Sequence, residues 1–211
     1  VGVEIDALAD GSFACRPRAA GPFPCVLYNH GGKGTQIGGD LEGTCRALAE
    51  AGTVARSEKR PRTTALEGHL EDVLGGLAAL RADPACDATR VGIMGFSRGG
   101  LLTLQAALAE GSAVDAAVLL APASGNGALE KTLADVSSLA APVWVRVAEN
   151  DLYQDDHVAL AKKVSDALEA AGKTVDSVVY PPFGNDGHEL FFEVREPYWS
   201  DVRAALQGAL S

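Results

Sequence analysis

The segments Arg90–Phe96 and Leu101–Leu108 constrain this chain most: the first reads as an apolar strand, the second as an apolar helix, and only Ser97-Arg98-Gly99-Gly100 separates them. A strand without polar alternation is covered on both faces, as in a sheet whose crossovers are helices. The remaining segments follow the same rhythm. Val3–Leu8 and Ser12–Arg16 flank the turn Ala9-Asp10-Gly11 and read as a hairpin. Gly21-Pro22-Phe23-Pro24 ends it, and the apolar run Cys25–Asn29 leads into His30-Gly31-Gly32-Lys33-Gly34. Leu41, Cys45, Leu48 and Ala49 share one helical face. Thr53–Arg56 is a short strand, and Leu66, Leu70, Val73, Leu74, Leu77 and Leu80 mark a long amphipathic helix. Strands at Ala116–Ala121, Pro142–Ala148 and Val175–Tyr180 alternate with helices at His157–Ala170 and Pro197–Leu210. Such alternation predicts one α/β domain over residues 1–211, its sheet mostly parallel and flanked by helices on both faces.

Composition narrows the function classes. With 47% apolar and 22% charged residues, the 211-residue chain has enough apolar material for a core. No apolar stretch approaches the ~18–20 residues that cross a bilayer, so the reading is a soluble protein without a membrane partner. A net charge of −10 repels phosphate backbones, which argues against nucleic acid as a partner. The basic segment from Arg56 through Lys59 and Arg60 to Arg62 is the local exception. It reads either as a solvated loop or as an attractor for an acidic substrate. Cys15, Cys25, Cys45 and Cys86 form no C-x-x-C pair and read as free thiols rather than as a zinc or redox site, although their even number would permit disulfides in a secreted form. No charged n-region with an apolar h-region opens the chain, and the location is read as cytoplasmic. A start at Val1 rather than Met is also compatible with removal of a preceding segment.

Gly95-Phe96-Ser97-Arg98-Gly99 is a G-x-S-x-G pattern set between a strand and a helix. There the turn is so sharp that only glycine fits beside the serine, whose hydroxyl is then pushed out above the sheet edge. The competing reading is a serine that merely caps the helix. A serine nucleophile needs a base and an orienting carboxylate downstream, in the order Ser, Asp or Glu, His. His188, in the loop Gly184-Asn185-Asp186-Gly187-His188 after the last strand, is the candidate base. Of the other histidines, His30 reads as a brace for its glycine loop, His69 as a residue on the polar side of its helix and His157 as the start of another helix. Asp151 is the candidate acid, with Glu149, Asp155 and Asp156 as competitors. The last two suit a helix N-terminus better. Two donors for a tetrahedral oxyanion would be the backbone N–H of Arg98 and that of Gly32, with Lys33 the alternative to Gly32.

Taken together these motifs resemble the α/β-hydrolase superfamily, and within it the lidless dienelactone-hydrolase-like and acyl-hydrolase branch. The likeness runs from Gly21-Pro22-Phe23-Pro24 and Asn29-His30-Gly31-Gly32, through Asp87-Ala88-Thr89-Arg90 and the elbow, to Gly187-His188-Glu189-Leu190-Phe191. It implies an eight-stranded sheet in the order 1-2-4-3-5-6-7-8 with strand 2 antiparallel. Dienelactone hydrolases proper carry cysteine where position 97 is serine, and relatives have a more apolar fourth strand than Thr53–Arg62. Lids in this superfamily enter after the sixth strand, where only Pro122–Ala141 is available, so no large lid is expected. The implied activity is hydrolysis of a small or medium soluble ester, lactone or thioester through an acyl-enzyme, without cofactor or metal. A peptidase or acyltransferase on the same fold, or a binding protein without turnover, is the alternative. Gly31-Gly32-Lys33-Gly34 lacks the spacing of a phosphate loop, His188-Glu189 lacks the second histidine of H-E-x-x-H, and Asp155-Asp156-His157 points three ways from a helix. Oligomeric state has no signature in the sequence.

Overall fold

The computed structural model describes residues 2–33, 36–60 and 66–211. Its main sheet has eight strands: β1 (Val3–Ala7), β2 (Phe13–Pro17), β3 (Phe23–Asn29), β4 (Val54–Glu58), β5 (Cys86–Phe96), β6 (Ala116–Leu120), β7 (Val143–Ala148) and β8 (Val175–Tyr180). They lie in the order β1-β2-β4-β3-β5-β6-β7-β8, with β2 antiparallel to both its neighbours and every other pairing parallel. This is the expected order. The helices are α1 (Leu41–Glu50), α2 (His69–Arg81), α3 (Arg98–Glu110), α4 (Ala128–Leu133), α5 (His157–Ala170) and α6 (Tyr198–Ala209).

Successive strand side chains point to opposite faces, and each face has its own core. Cys25 and Leu27 of β3, Val91 and Ile93 of β5 and Val143, Val145 and Val147 of β7 pack with α2, α3, α4 and α5. Val26 and Tyr28, Met94 and Phe96, and Val118 and Leu120 pack with α1 and α6 on the other side. The parallel strands run in one direction, so Asn29, Phe96, Leu120, Ala148 and Tyr180 end at one edge of the sheet. Loops that leave this edge converge, as they do at ligand sites of open α/β sheets. Between β6 and β7 lie only α4 and a short 3₁₀ turn, Val136–Ser138, with no large lid. No helix among the described residues is long and apolar enough to cross a membrane.

Three expectations need correction. The cysteines are not free thiols: Cys15 is bonded to Cys45 and Cys25 to Cys86, with Cα separations of 5.7 and 5.6 Å. The pairs are 30 and 61 residues apart in sequence and meet only because α1 packs on β2 and β3 lies beside β5. His69 is not on a polar face but is 2% exposed as the first residue of α2. Leu66 precedes that helix, because Gly68 takes up a left-handed conformation (φ 79°) and breaks the register. A disulfide acts chiefly on the unfolded chain, so replacing Cys25 and Cys86 together by alanine is expected to cost about 2–5 kcal/mol. Urea denaturation checks this; an unchanged midpoint would contradict the cross-link.

Candidate active site

Ser97 sits between β5 and α3 with φ 55° and ψ −117°, a conformation that non-glycine residues rarely adopt. The surrounding turn enforces it. Ser97 N–H donates to Leu120 O at 2.8 Å, and Ser97 O accepts from Gly100 N at 2.9 Å and Ala123 N at 3.0 Å. A β-carbon at Gly95 would lie 2.2 Å from Gly99 O, and one at Gly99 would lie 2.0 Å from Asn29 O. Glycine at both positions is therefore a packing requirement. The Ser97 side chain makes no capping hydrogen bond to α3, so the helix-cap reading fails. It faces a cavity above the N-terminus of α3, the positive end of that helix's dipole.

The loop after β3 folds back on itself. Gly31–Lys33 pairs antiparallel with Gln36–Gly38 in a small hairpin that no sequence signal announced, with Gly32 opposite Ile37. Gly31 lies against the elbow: a β-carbon there would be 3.0 Å from Ser97 Cβ. Gly32 borders the same cavity as Ser97 and Arg98. Lys33 is described by its backbone, which pairs with Gln36.

Asp151 follows β7 and is completely buried, and both its carboxylate oxygens lie within hydrogen-bond distance of His188 Nδ1, at 3.0 and 2.9 Å. A carboxylate only accepts, so Nδ1 carries the proton and the ring's lone pair is on Nε2. His188 belongs to a 3₁₀ turn, Gly187–Phe191, capped by Asp186, whose side chain accepts from His188 N at 3.0 Å. Ser97 and His188 border one cavity. The competing carboxylates have other partners or surroundings. Glu149 is exposed. Asp156 caps α5 by accepting from Ala159 N, as its position predicts. Asp155 instead accepts from Ser124 Oγ at 2.7 Å and lines the cavity.

Several contributors have no motif of their own. Asn150 joins the acid loop to the histidine loop: its side chain donates to Phe183 O and accepts from Phe183 N, and its carbonyl accepts from Gly187 N. Tyr153 stacks on His188 with ring centroids 4.9 Å apart and planes 17° from parallel, and Phe96 lies 4.6 Å away on a tilted plane. His157, also buried, is 4.5 Å from His188 by ring centroids, and its Nε2 lies 3.0 Å from Tyr153 O. Asp151, His157 and His188 bring ligand-type atoms within 4.8 Å of one another. A cation there would have to displace both the Asp151–His188 and the His157–Tyr153 hydrogen bonds.

Two arginines of the basic segment are not solvated charge. Arg56 pairs with Glu58, and Arg60 is 3% exposed, turned inward to donate from Nη2 to His30 O. Arg62 lies outside the described residues. The cavity itself measures about 660 Å³. Ile37, Leu66, Phe96 and Phe192 give it apolar walls, while Asn126, Gln154 and Asp155 are its polar ones. Leu152, Tyr153 and Phe192 leave large apolar surfaces exposed. Burial holds the Arg98 guanidinium below its usual pKa.

Residues 46–207 match the sequence profile described as "Dienelactone hydrolase family". A curated protein of Methylorubrum extorquens named "Putative carboxymethylenebutenolidase" is 28% identical in an alignment 204 positions long that covers 84% of this chain and 67% of that protein. Among solved structures, the carboxylesterase EstE1 from a metagenomic library superposes with a TM-score of 0.78 at 18% identity, covering 100% of this chain and 90% of that one. An inhibited esterase B from Lactobacillus rhamnosis gives 0.77 at 17% identity over 99% and 86%. Dipeptidyl peptidase 4 of Porphyromonas gingivalis gives 0.72 at 17% identity, but the present chain spans only 35% of its length. At these identities the structures share the fold.

Proposed function

Since the chain belongs to the dienelactone hydrolase family and carries an α/β-hydrolase fold, we propose that it is a serine hydrolase that cleaves small or medium carboxylic esters, lactones or thioesters through an acyl-enzyme. The observation that carries this reading is the buried Asp151–His188 pair, whose histidine shares one cavity with the strained Ser97.

In this mechanism Ser97 Oγ attacks the acyl carbon while His188 Nε2 takes its proton. Asp151 keeps the ring in the accepting tautomer and stabilises the imidazolium. The carbonyl oxygen, now an oxyanion, is held by the backbone N–H groups of Arg98 and Gly32. As the intermediate collapses, the acyl carbon–oxygen bond breaks and His188 returns the proton to the leaving oxygen. Water then attacks the acyl-enzyme, giving its proton to His188, and as the bond from the acyl carbon to Ser97 Oγ breaks His188 returns that proton to Oγ and the acid is released. Each role is a property of this chain's own residues.

The substrate class rests on the cavity and its cover. About 660 Å³ accommodates a compact ligand, and the short passage between β6 and β7 supplies no apolar lid to shelter a long acyl chain. Paired cysteines are characteristic of oxidising compartments, which favours such a location over the cytoplasm.

The test is a panel of p-nitrophenyl esters of graded chain length, with lactones, thioesters and peptide amides alongside, and a fluorophosphonate probe. kcat/KM is expected to peak at two to four acyl carbons and to fall at least about tenfold by twelve, because no lid shelters a long acyl chain. The probe should label Ser97 alone. Faster turnover of long-chain esters would overturn the substrate class, and absence of labelling would overturn the nucleophile.

A further inference from the structure

His30 is 4% exposed, and both its ring nitrogens are engaged. Nε2 accepts from the backbone N–H of Arg60 at 3.0 Å. A nitrogen that accepts a backbone N–H cannot itself bear the proton, so the ring proton is on Nδ1. Nδ1 lies in a short contact with Gly31 O, the acceptor it needs. Gly31 C=O and Gly32 N–H belong to one planar peptide unit, so a donor on that oxygen fixes the direction of the N–H and increases its polarity. Arg60 also donates from Nη2 to His30 O, the carbonyl of the preceding peptide. Its Nε and Nη1 find no partner, and the guanidinium forms no ion pair among the described residues. A buried positive charge therefore stands behind the loop.

We propose that His30 is a positioning residue: as the Nδ1–H tautomer set by Arg60 N–H, it orients and polarises the Gly31–Gly32 peptide whose N–H receives the oxyanion. The inference rests on the serine-hydrolase reading above. It makes Arg60 N–H, His30, the Gly31–Gly32 peptide and the oxyanion one chain of hydrogen bonds, each link polarising the next. Burial and the Arg60 charge push the His30 pKa down to about 3, so the ring stays neutral and the chain stays intact at every working pH. The tight fit of Gly31 against Ser97 leaves this peptide little room to turn.

Two substitutions separate the two halves of the ring. In His30→Asn the side-chain amide N–H overlies Nδ1 and can still donate to Gly31 O. In His30→Gln the amide oxygen reaches the Nε2 position and can accept from Arg60 N–H, while the donor to Gly31 O is lost. His30→Gln is expected to lower kcat by about 10²-fold with KM within twofold, near the lower end of what loss of an oxyanion donor costs. His30→Asn should stay within about tenfold of wild type. An ester and its thiono analogue add a readout that folding does not move, because sulfur is a poor acceptor. The preference for the oxygen ester should shrink in His30→Gln and persist in His30→Asn. Equal losses in both variants with an unchanged preference would reduce His30 to a structural residue.

Wild-type protein supplies a measurement independent of variant folding. Long-range ¹H–¹⁵N correlation should show His30 protonated at Nδ1 with no titration between pH 5 and 8; protonation at Nε2, or titration in that range, overturns the proposal. Failure of the underlying reading looks different. In that case the fluorophosphonate leaves wild-type Ser97 unlabelled, whereas labelled wild type with unaffected His30 variants refutes this inference alone.

Discussion

Ser97→Ala is expected to lower kcat for p-nitrophenyl acetate by about 10⁶-fold, the loss seen when a serine hydrolase's nucleophile is removed. The size follows from the division of labour. In the proposed mechanism the base, the oxyanion donors and the cavity all act on a bond that Ser97 Oγ forms, and without that oxygen they would have only water to direct. Alanine tolerates the elbow's backbone no better and no worse than serine, since both carry a β-carbon at φ 55°. The serine side chain also makes no capping bond to lose. The variant should therefore unfold at the wild-type urea concentration. Turnover in Ser97→Ala within tenfold of wild type would remove Ser97 from the chemistry.

Asp151→Asn is the second large effect, with a fall in kcat of about 10⁴-fold expected. Asparagine keeps the volume of the buried carboxyl but brings an N–H₂ group to a ring nitrogen that must itself donate. His188 then turns to the tautomer protonated at Nε2, and that nitrogen can no longer accept the serine proton. The neighbouring acids serve as controls. Asp156→Asn retains a side-chain oxygen for Ala159 N and remains a good helix cap, so its effect should be within about 0.5 kcal/mol of stability and leave kcat unchanged. A stopped assay for Asp151→Asn beside full activity for Asp156→Asn supports the assignment; equal activity of the two would place the acid elsewhere.

The sequence reveals much of this site because its most demanding element is local. The elbow's pattern lies within five consecutive residues, Gly95–Gly99, and the Gly95 limit acts within it, against Gly99, although Gly99 itself is kept small by Asn29 of β3. Asp151 and His188 could be found because each follows an apolar strand whose end lies at the common edge of the sheet. What stayed hidden depends on partners far away in the chain. Cys86 lies five residues before Val91, where its strand becomes apolar, so nothing at Cys86 announces that β5 is already paired with β3 there. Arg60 looks like surface charge until the His30 carbonyl that receives it is in place. Leu66 matches the helical spacing of Leu70 and Val73, yet it lines the cavity because Gly68 intervenes. Asn150 is one polar residue in a polar turn, and its partners Phe183 and Gly187 lie more than thirty residues on.

The arrangement of the rim has an evolutionary consequence. Tyr153 is two residues after Asp151 and Phe192 is four residues after His188, so part of the cavity's apolar wall and the proposed acid–base pair share two short loops. Tyr153 even stacks on the histidine it neighbours in space. Selection for a new substrate through these positions would disturb proton transfer at the same time, tying specificity to turnover. Leu66 and Asn126 face the same cavity from segments that carry none of the proposed catalytic groups, whereas Ile37 is paired with Gly32. A change at Leu66 or Asn126 leaves the proposed proton path untouched, so that wall can alter specificity at lower cost.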